Sequence, residues 1–182
     1  MPIGINNISR RGGVLDVIPL VAYAEGFGGD HKAYVHDVSD GSLVHTLTES
    51  VELAGDVWDV ELSDTHVAYG GGDDNTYVHD LADGSLVQTL TESGGDVNGV
   101  ALSDTYVAYG GSDDNTYVHD VSDWSLVQTL TESGFVNDVA LSDTHVAYAS
   151  SDDNTYVHDV SDWSLVQTLT ESGDNVNGVA LL

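Results

Sequence analysis

The chain has 182 residues, of which 41% are hydrophobic, and it carries 31 acidic residues against only 3 Lys and Arg, for a net charge of −28. This length and apolar fraction are typical of one folded domain and exclude a disordered chain. Nucleic-acid binding is disfavoured because it needs clustered Lys and Arg. No cysteine is present, which excludes disulfides and thiolate metal sites.

The N-terminal part of the chain allows two interpretations. Arg10 and Arg11 precede an apolar run over 17–24, an arrangement similar to a twin-arginine export signal. Asp16 and Pro19 interrupt that run, however, and residues 21–23 repeat the Val-Ala-Tyr of 67–69. The run is also far shorter than the ~20 residues that span a bilayer, so no membrane helix is predicted. We therefore expect residues 1–13 to form an extension, residues 14–182 to form one domain, and the protein to be cytoplasmic, with export as the alternative.

A repeat of about 40 residues dominates the rest of the sequence. Tyr-Val-His-Asp begins at residues 34, 77, 117 and 156, which gives intervals of 43, 40 and 39 residues. Each copy continues into Ser-Leu-Val and then Thr-Leu-Thr-Glu-Ser, and the third and fourth copies are nearly the same sequence. Periodicity of this length predicts a tandem array of one structural unit.

Each repeat is predicted to contain four short strands. In the second copy, Val, Tyr, Thr and Leu dominate 57–62, 66–70, 76–81 and 85–91, as a pleated, half-buried surface prefers. Asp, Asn, Gly and Ser separate these stretches, and they are the residues that favour turns. The sequence therefore predicts an all-β fold of four four-stranded antiparallel blades. The expected blades cover about 14–50, 56–92, 96–132 and 135–171, with 14–19 as the innermost strand of the first and 174–182 as an additional innermost strand.

Two stretches resemble the WD-repeat family. Residues 111–120, Gly-Ser-Asp-Asp-Asn-Thr-Tyr-Val-His-Asp, are similar to the second turn and third strand of a WD blade. His119 stands where that family usually has Trp, and Asp120 matches its Asp. Residues 97–102 with Ser103 and Asp104 resemble its innermost strand and first turn. The resemblance implies a β-propeller or propeller arc, although the family's usual Gly-His pair is replaced by Glu-Ser-Gly. It implies an architecture and not a function, because such propellers have many unrelated roles.

Closure of the array has three alternatives. WD rings usually have seven or so blades, whereas this chain has four repeats. Residues 174–182 could complete the first blade and close a four-bladed ring. Two chains could instead form one eight-bladed ring as a homodimer, or the chain could be an open arc with an exposed strand edge.

The repeated polar residues suggest metal sites, but a structural role is the simpler prediction. His36, His79, His119 and His158 lie on different blades, so we expect them to pack between blades rather than to converge on a metal. The Asp-Asp-Asn turns have oxygens suited to calcium but lack the spacing of an EF-hand loop. We expect them to bond their own backbone and to make one face negative, with weak cation binding as the alternative. These turns are Asp73, Asp74, Asn75; Asp113, Asp114, Asn115; and Asp152, Asp153, Asn154.

Residues that break the repeat are the better candidates for a unique site. Asp30, His31 and Lys32 replace the usual turn in the first blade, within the candidate segment 27–32, and His45 replaces Gln. Trp124 and Trp163 replace Gly before the fourth strand, where an exposed Trp could anchor a partner or pack on the neighbouring blade. Catalytic residues should be exceptions to a repeat, and no nucleophile, base and acid converge here, so no enzyme and no cofactor are predicted.

The extreme acidity predicts the setting. Asp-rich, Lys-poor composition is similar to proteins of salt-accumulating archaea, in which molar salt reduces the Debye length to ~3 Å and screens the repulsion. We therefore predict a halophilic, non-catalytic scaffold in a high-salt cell that binds a protein partner, which either carries basic or polar residues or binds through bridging cations. The alternative is an exported or surface-associated module that binds carbohydrate or calcium.

Overall fold

The computed structural model describes residues 6–11, 14–25, 31–48, 56–131 and 134–182, with side chains from residue 19 onward. The described residues form sixteen strands in four antiparallel sheets of four, which confirms the predicted all-β arc of four blades. The first blade contains β1 (Asn6–Arg11), β2 (Val14–Ala24), β3 (Ala33–Asp37) and β4 (Leu43–Leu47). The second contains β5 (Val57–Leu62), β6 (His66–Gly71), β7 (Thr76–Asp80) and β8 (Leu86–Leu90). The third contains β9 (Val97–Leu102), β10 (Tyr106–Gly111), β11 (Thr116–Asp120) and β12 (Leu126–Leu130), and the fourth contains β13 (Val136–Leu141), β14 (His145–Ser150), β15 (Thr155–Asp159) and β16 (Leu165–Leu169).

Short polar turns fix the register of each blade. In the third blade, Ser103 N donates to Tyr106 O at 2.8 Å, and Ser103 Oγ accepts from Tyr106 N at 3.0 Å. The hydroxyl thus satisfies backbone groups that the chain reversal would leave unpaired. This Ser-Asp-Thr turn recurs in the second and fourth blades with the same hydrogen bonds to its serine oxygen.

Hydrophobic cores lie between consecutive blades. Side chains alternate along each strand, so every blade has two faces. We call the face that packs on the next blade the forward face and the opposite one the backward face. Val78 and Leu90 on the forward face of the second blade, for example, pack with Val107 and Tyr109 on the backward face of the third. Equivalent clusters join the first blade to the second and the third to the fourth.

The first blade differs from the sequence prediction. Residues 14–19, expected to form the innermost strand, belong to β2, which continues to Ala24. Their partner is β1, which lies inside the segment 1–13 that was predicted to be an extension. The physical reason is that residues 17–21 are Val-Ile-Pro-Leu-Val, with no Ser-Asp-Thr turn to reverse the chain.

Residues 174–182 are also different from expectation. They were predicted to form an innermost strand, yet no strand is assigned there. They nevertheless lie along the fourth blade: Val176 N donates to Ser150 O at 3.1 Å, and Asn137 Nδ2 donates to Val176 O at 2.8 Å. A strand needs a neighbour that continues its hydrogen-bond ladder. None of the described strands pairs with this segment.

Candidate binding faces

The turns of the blades divide between two ends of the arc. Because the four strands of a blade are antiparallel, its first and third turns lie at one end and its second turn at the other. The second turns carry the Asp-Asp-Asn sequences, and we call their end the acidic end. The third turns carry Trp124 and Trp163, and we call their end the aromatic end. The predicted partner-binding residues therefore do not form one site.

The first Asp of each acidic turn holds the turn together. In the third blade, Tyr117 OH donates to Asp113 Oδ2 at 2.7 Å, and Asn115 Nδ2 donates to Asp113 O at 2.9 Å. Gly94 N also donates to Asp113 Oδ2, at 2.8 Å, and so ties the turn to the connection from the second blade. The Tyr and Asn bonds recur at Asp73 in the second blade and at Asp152 in the fourth.

The second Asp of each turn projects outward from a left-handed backbone. Asp74, Asp114 and Asp153 have φ of 65°, 69° and 71°, a region that Asp and Asn occupy more readily than other non-glycine residues. Asp74 and Asp114 are exposed and Asp153 is half-buried. These carboxylates were expected to make one face negative, and the structure places all three at the same end.

Charge repulsion is visible at this end. Partial burial, followed by the carboxylates of Asp96, Asp73 and Asp113, raises the pKa of Asp74 above its ordinary value. At Asp152, burial opposes ionisation, but hydrogen bonds from Tyr156, Ser150 and Asn154 together lower the pKa. In the fourth blade the hydrogen bonds of the turn thus favour the charged form of Asp152.

Cation binding at these turns stays a prediction. No group of three or more His, Asp or Glu side chains suited to a metal ion occurs in the part of the chain that the structure describes. The oxygens of the first Asp already accept hydrogen bonds from Tyr, Asn and the backbone. A cation at the turn would have to compete with those donors.

The repeated histidines belong to a network of stacked rings and hydrogen bonds within each blade, whereas the sequence predicted packing between blades. His79, His119 and His158 are buried, and each stacks on the Tyr of the neighbouring second strand. His119 Nδ1 lies 3.0 Å from Trp124 O, and since a carbonyl only accepts, Nδ1 carries the hydrogen. His119 Nε2 lies 3.3 Å from Tyr109 OH. The same Tyr-His-carbonyl chain occurs in all four blades, so these imidazoles brace the third turn and do not converge on a ligand.

Glu92 extends this network between blades. Tyr109 OH donates to Glu92 Oε2 at 2.6 Å, and His119 Nε2 lies 3.2 Å from the same oxygen. Burial opposes ionisation of Glu92, but the Tyr109 hydrogen bond and the nearby imidazole lower its pKa overall. The carboxylate therefore bridges the second blade to the core of the third.

The tryptophans pack on the preceding blade. Trp124 meets His66 edge-on with 5.3 Å between ring centroids, and Trp163 meets Tyr106 edge-on at 5.2 Å. Both have φ of 61°, a conformation that their copies Gly41 and Gly84 adopt at 74°. Packing on the neighbouring blade and anchoring of a partner were both open possibilities for these tryptophans. Both indoles remain partly accessible. Neighbour packing is thus observed, and partner anchoring stays a prediction.

In the second blade, the third turn has Gly84 in place of Trp, and it meets His45 of the preceding blade. His45 Nε2 lies 2.9 Å from Leu81 O, which brings the imidazole against Gly84. A Cβ at Gly84 would lie 2.6 Å from His45 Nδ1. Within the repeat, Gly in the third turn thus accompanies His in the preceding blade, whereas Trp accompanies Gln88 or Gln128.

The predicted segment 27–32 is only partly defined. Residues 27–30, including Asp30, lie outside the described residues. His31 Nδ1 lies 3.2 Å from Asp56 Oδ1, which joins the first blade to the start of the second. Lys32 O accepts from Glu25 N at 3.0 Å and so closes the turn between β2 and β3. These contacts are structural.

Carboxylates on the innermost strands were missed as a group by the sequence reasoning. Asp59 Oδ2 accepts from Val100 N in the next blade at 2.8 Å, and Asp138 Oδ2 accepts from Val179 N at 2.9 Å. Burial raises the pKa of both groups. At Glu61, whose side chain stays exposed to solvent, partial desolvation and then repulsion from Asp59 and Asp138 raise the pKa to about 7. The signal in the sequence was that Asp and Gly alternate at this position from blade to blade.

Comparison with models of known protein families and with curated protein sequences finds no match to this chain. None of the described residues forms a helix long and apolar enough to cross a membrane. The fold and the chemistry of the two ends are therefore the basis for a functional proposal.

Proposed function

We propose that this chain is a non-catalytic scaffold of the WD-repeat type that binds a protein through its acidic end in a high-salt cytoplasm. The observation that carries the proposal is the repetition of one braced Asp-Asp-Asn turn at the same end of three consecutive blades. A rigid row of carboxylates of this kind matches a partner with regularly spaced Arg or Lys side chains. The proposed partner is a protein with such a basic surface.

Preorganisation supports binding at this end. The turns are held by Tyr hydroxyls and Asn amides, so ordering them on association costs little conformational entropy. Partial burial, and then repulsion from Asp96, Asp73 and Asp113, raises the pKa of Asp74, and a cationic partner would relieve the repulsive part of that shift. Opposite charges also speed the encounter of partners, although salt weakens this effect.

The non-catalytic part of the proposal rests on how the polar residues are used. The buried His and Tyr side chains recur in the second, third and fourth blades with the same structural partners. A catalytic group would need to differ from its repeats and to face a cleft with other such groups. Of the candidates that break the repeat, His31 has its Nδ1 3.2 Å from Asp56 Oδ1, and His45 has its Nε2 2.9 Å from the Leu81 carbonyl oxygen.

The test compares two triple variants. Asp74→Asn, Asp114→Asn and Asp153→Asn together remove three charges from the acidic end, while Asn tolerates the left-handed backbone. The control replaces Asp83, Asp123 and Asp162, at the opposite end, with Asn and so removes the same number of charges. Binding is measured in roughly molar KCl by fluorescence anisotropy of labelled Arg-containing peptides with varied Arg spacing.

We expect the acidic-end variant to lose at least about tenfold in affinity for the best-spaced peptide and the control to keep it, since tenfold corresponds to ~1.4 kcal/mol. Equal losses in both variants would mean non-specific attraction to net charge. Undetectable binding of every peptide by the unaltered chain would count against a basic partner. Circular dichroism of both variants verifies that they remain folded.

A further inference from the structure

The backward face of the first blade is uncovered in the single chain. Val21 and Tyr23 are exposed to 46% and 48%, whereas their copies Val67 and Tyr69 are fully buried at 0%. In the other three blades an innermost strand pairs with the stretch equivalent to 21–24. In the first blade β1 pairs only with residues 14–19, so no described strand runs beside 21–24 on that edge.

The forward face of the fourth blade is uncovered as well. Leu169 is 43% exposed, whereas its copy Leu130, which the fourth blade covers, is 2% exposed. Val157 is half-buried, whereas its copy Val118 is fully buried. Because both faces are open at once, the first and fourth blades of one chain do not cover each other.

Residues 174–182 carry the strand that the first blade lacks. Their Val-Asn-Gly-Val-Ala-Leu at 176–181 repeats the sequence of β9. They also make the contacts of an innermost strand with the blade before them. Asn137 Nδ2 donates to Val176 O as Asn98 Nδ2 donates to Val136 O, and Asp138 accepts from Val179 N as Asp59 accepts from Val100 N. Residues 174–182 thus contact the fourth blade on one side, and no described strand lies beside them on the other.

The register of the missing pairing follows from the repeat. In the third blade Leu102, Ala101 and Val100 pair with Val107, Ala108 and Tyr109. By the same register, Leu181 would lie beside residue 21, Ala180 beside Ala22, and Val179 beside Tyr23. Val179 would then cover the exposed ring of Tyr23.

An alternation on the innermost strands agrees with this placement. The position on the innermost strand that faces the next blade is occupied by Asp59 in the second blade, Gly99 in the third and Asp138 in the fourth. Gly99 has no room for a side chain, since a Cβ there would lie 2.7 Å from Asp138 Cα. If residues 174–182 serve as the innermost strand of a first blade, Gly178 stands before Asp59. The order Asp, Gly then continues around a ring without interruption.

We propose that a second copy of this chain supplies the strand. Residues 174–182 of each copy pair with β2 of the other, and the fourth blade of each covers the first blade of its partner. Two such contacts close an eight-bladed ring with a two-fold axis, whereas a contact that did not close would produce a filament. The proposal stands apart from the proposed scaffold function, since it concerns assembly and needs no basic partner.

The first measurement is the mass of the unaltered chain in solution, by light scattering behind a sizing column in roughly molar KCl. The chain has a mass of 19.2 kDa, so the proposal expects a particle of twice that mass at all loadings. A particle of one chain mass, or a series of larger masses that grows with concentration, would overturn the proposal.

The second measurement traps the pairing itself. The chain has no cysteine, so Ala22→Cys together with Ala180→Cys introduces a single pair of thiols. Opposed residues of antiparallel strands have Cα atoms ~4.5–5.5 Å apart, which suits a disulfide. We expect mild oxidation to give a covalent dimer on a non-reducing denaturing gel. The matched controls are Ala180→Cys alone and Ala22→Cys with Ser164→Cys, a position on an exposed turn of the fourth blade.

The outcomes separate the alternatives. A dimer from the matched pair and not from the controls supports exchange between copies. A disulfide within one chain, detected by loss of free thiols without a change in mass, would mean that the chain closes a four-bladed ring alone. Equal dimer from all three variants, or free thiols in the matched pair, would mean that residues 174–182 do not pair with β2.

Discussion

The contact between His45 and Gly84 allows a quantitative test of how neighbouring blades fit. Gly84→Trp gives the second blade the turn residue found at Trp124. Gly84 already has φ of 74°, but a Cβ there would lie 2.6 Å from His45 Nδ1. The imidazole can move away only by giving up its 2.9 Å contact with Leu81 O.

The expected cost has two parts. A left-handed residue with a Cβ costs about 1–2 kcal/mol relative to Gly, and the lost hydrogen bond costs about 1 kcal/mol. We therefore expect Gly84→Trp to reduce the free energy of unfolding by about 2–3 kcal/mol. Gly41→Trp is the matched control, because Gly41 has the same φ and nothing within 4 Å of its Cβ position. Gly41→Trp should reduce the free energy of unfolding only by the cost of the left-handed backbone.

The decisive experiment is a double-mutant cycle with His45→Gln, which restores the Gln that precedes the Trp-containing blades. The assay is urea unfolding followed by circular dichroism in roughly molar KCl. Because Gln does not hold a ring against the turn, the double variant should be more stable than the sum of the single effects by about 1 kcal/mol. Additivity within ~0.3–0.5 kcal/mol would refute the steric coupling.

Three further predictions concern charge. The folded-state pKa of Glu61 is raised to about 7, so its protonation stabilises the fold at low pH and this stability is lost as pH rises through about 7. Glu61→Gln should therefore reduce the loss of unfolding free energy between pH 5 and 7 by about 1 kcal/mol, a value reduced for solvent screening; an unchanged pH dependence in urea unfolding would contradict it. Tyr109→Phe removes the donor to Glu92 and should cost about 1.5 kcal/mol in urea unfolding, with no loss meaning that water replaces the hydroxyl. Lowering KCl from molar to 0.1 M lengthens the Debye length from ~3 to ~10 Å, so the melting temperature should fall, and a constant value would contradict salt adaptation.

The repeating part of the fold is predictable from the sequence because its local signals agree. In the second blade the expected strands 57–62, 66–70, 76–81 and 85–91 differ from the observed ones by at most one residue at each end. Polar turns bound every strand there, and Val, Tyr, Thr and Leu dominate the strands. The first blade was misassigned because its own sequence departs from the repeat. Gly12 and Gly13, the residue type that two-residue hairpins favour, stand between Arg11 and Val14, which are paired in the structure.

The candidate sites were less predictable, because they depend on relations between blades. The negative row at the acidic end follows from the turn sequence alone. By contrast, the left-handed backbone of Trp124 can be predicted only by comparing the copies, because Gly41 and Gly84 occupy the same position in the first and second blades. The link from Asp59 to Val100 joins residues 41 positions apart and has no local signature. Interblade packing of the indoles likewise requires the arc to be assembled first.

The alternation of Asp and Gly on the innermost strands has a consequence for how such a protein can change its length. Tandem genes gain and lose repeats by duplication and deletion, and blades with equal interfaces would tolerate any number of copies. Here a single additional blade would place two Asp or two Gly at adjacent positions. Two adjacent Asp residues would clash, because a Cβ at the position of Gly99 lies only 2.7 Å from the backbone of the next blade. Two adjacent Gly residues would lack the hydrogen bond that Asp59 accepts from the next blade. A duplicated blade should therefore fit this array only if its innermost strand also exchanges Asp for Gly or Gly for Asp, as Gly99 and Asp138 differ between third and fourth copies that are otherwise nearly the same sequence.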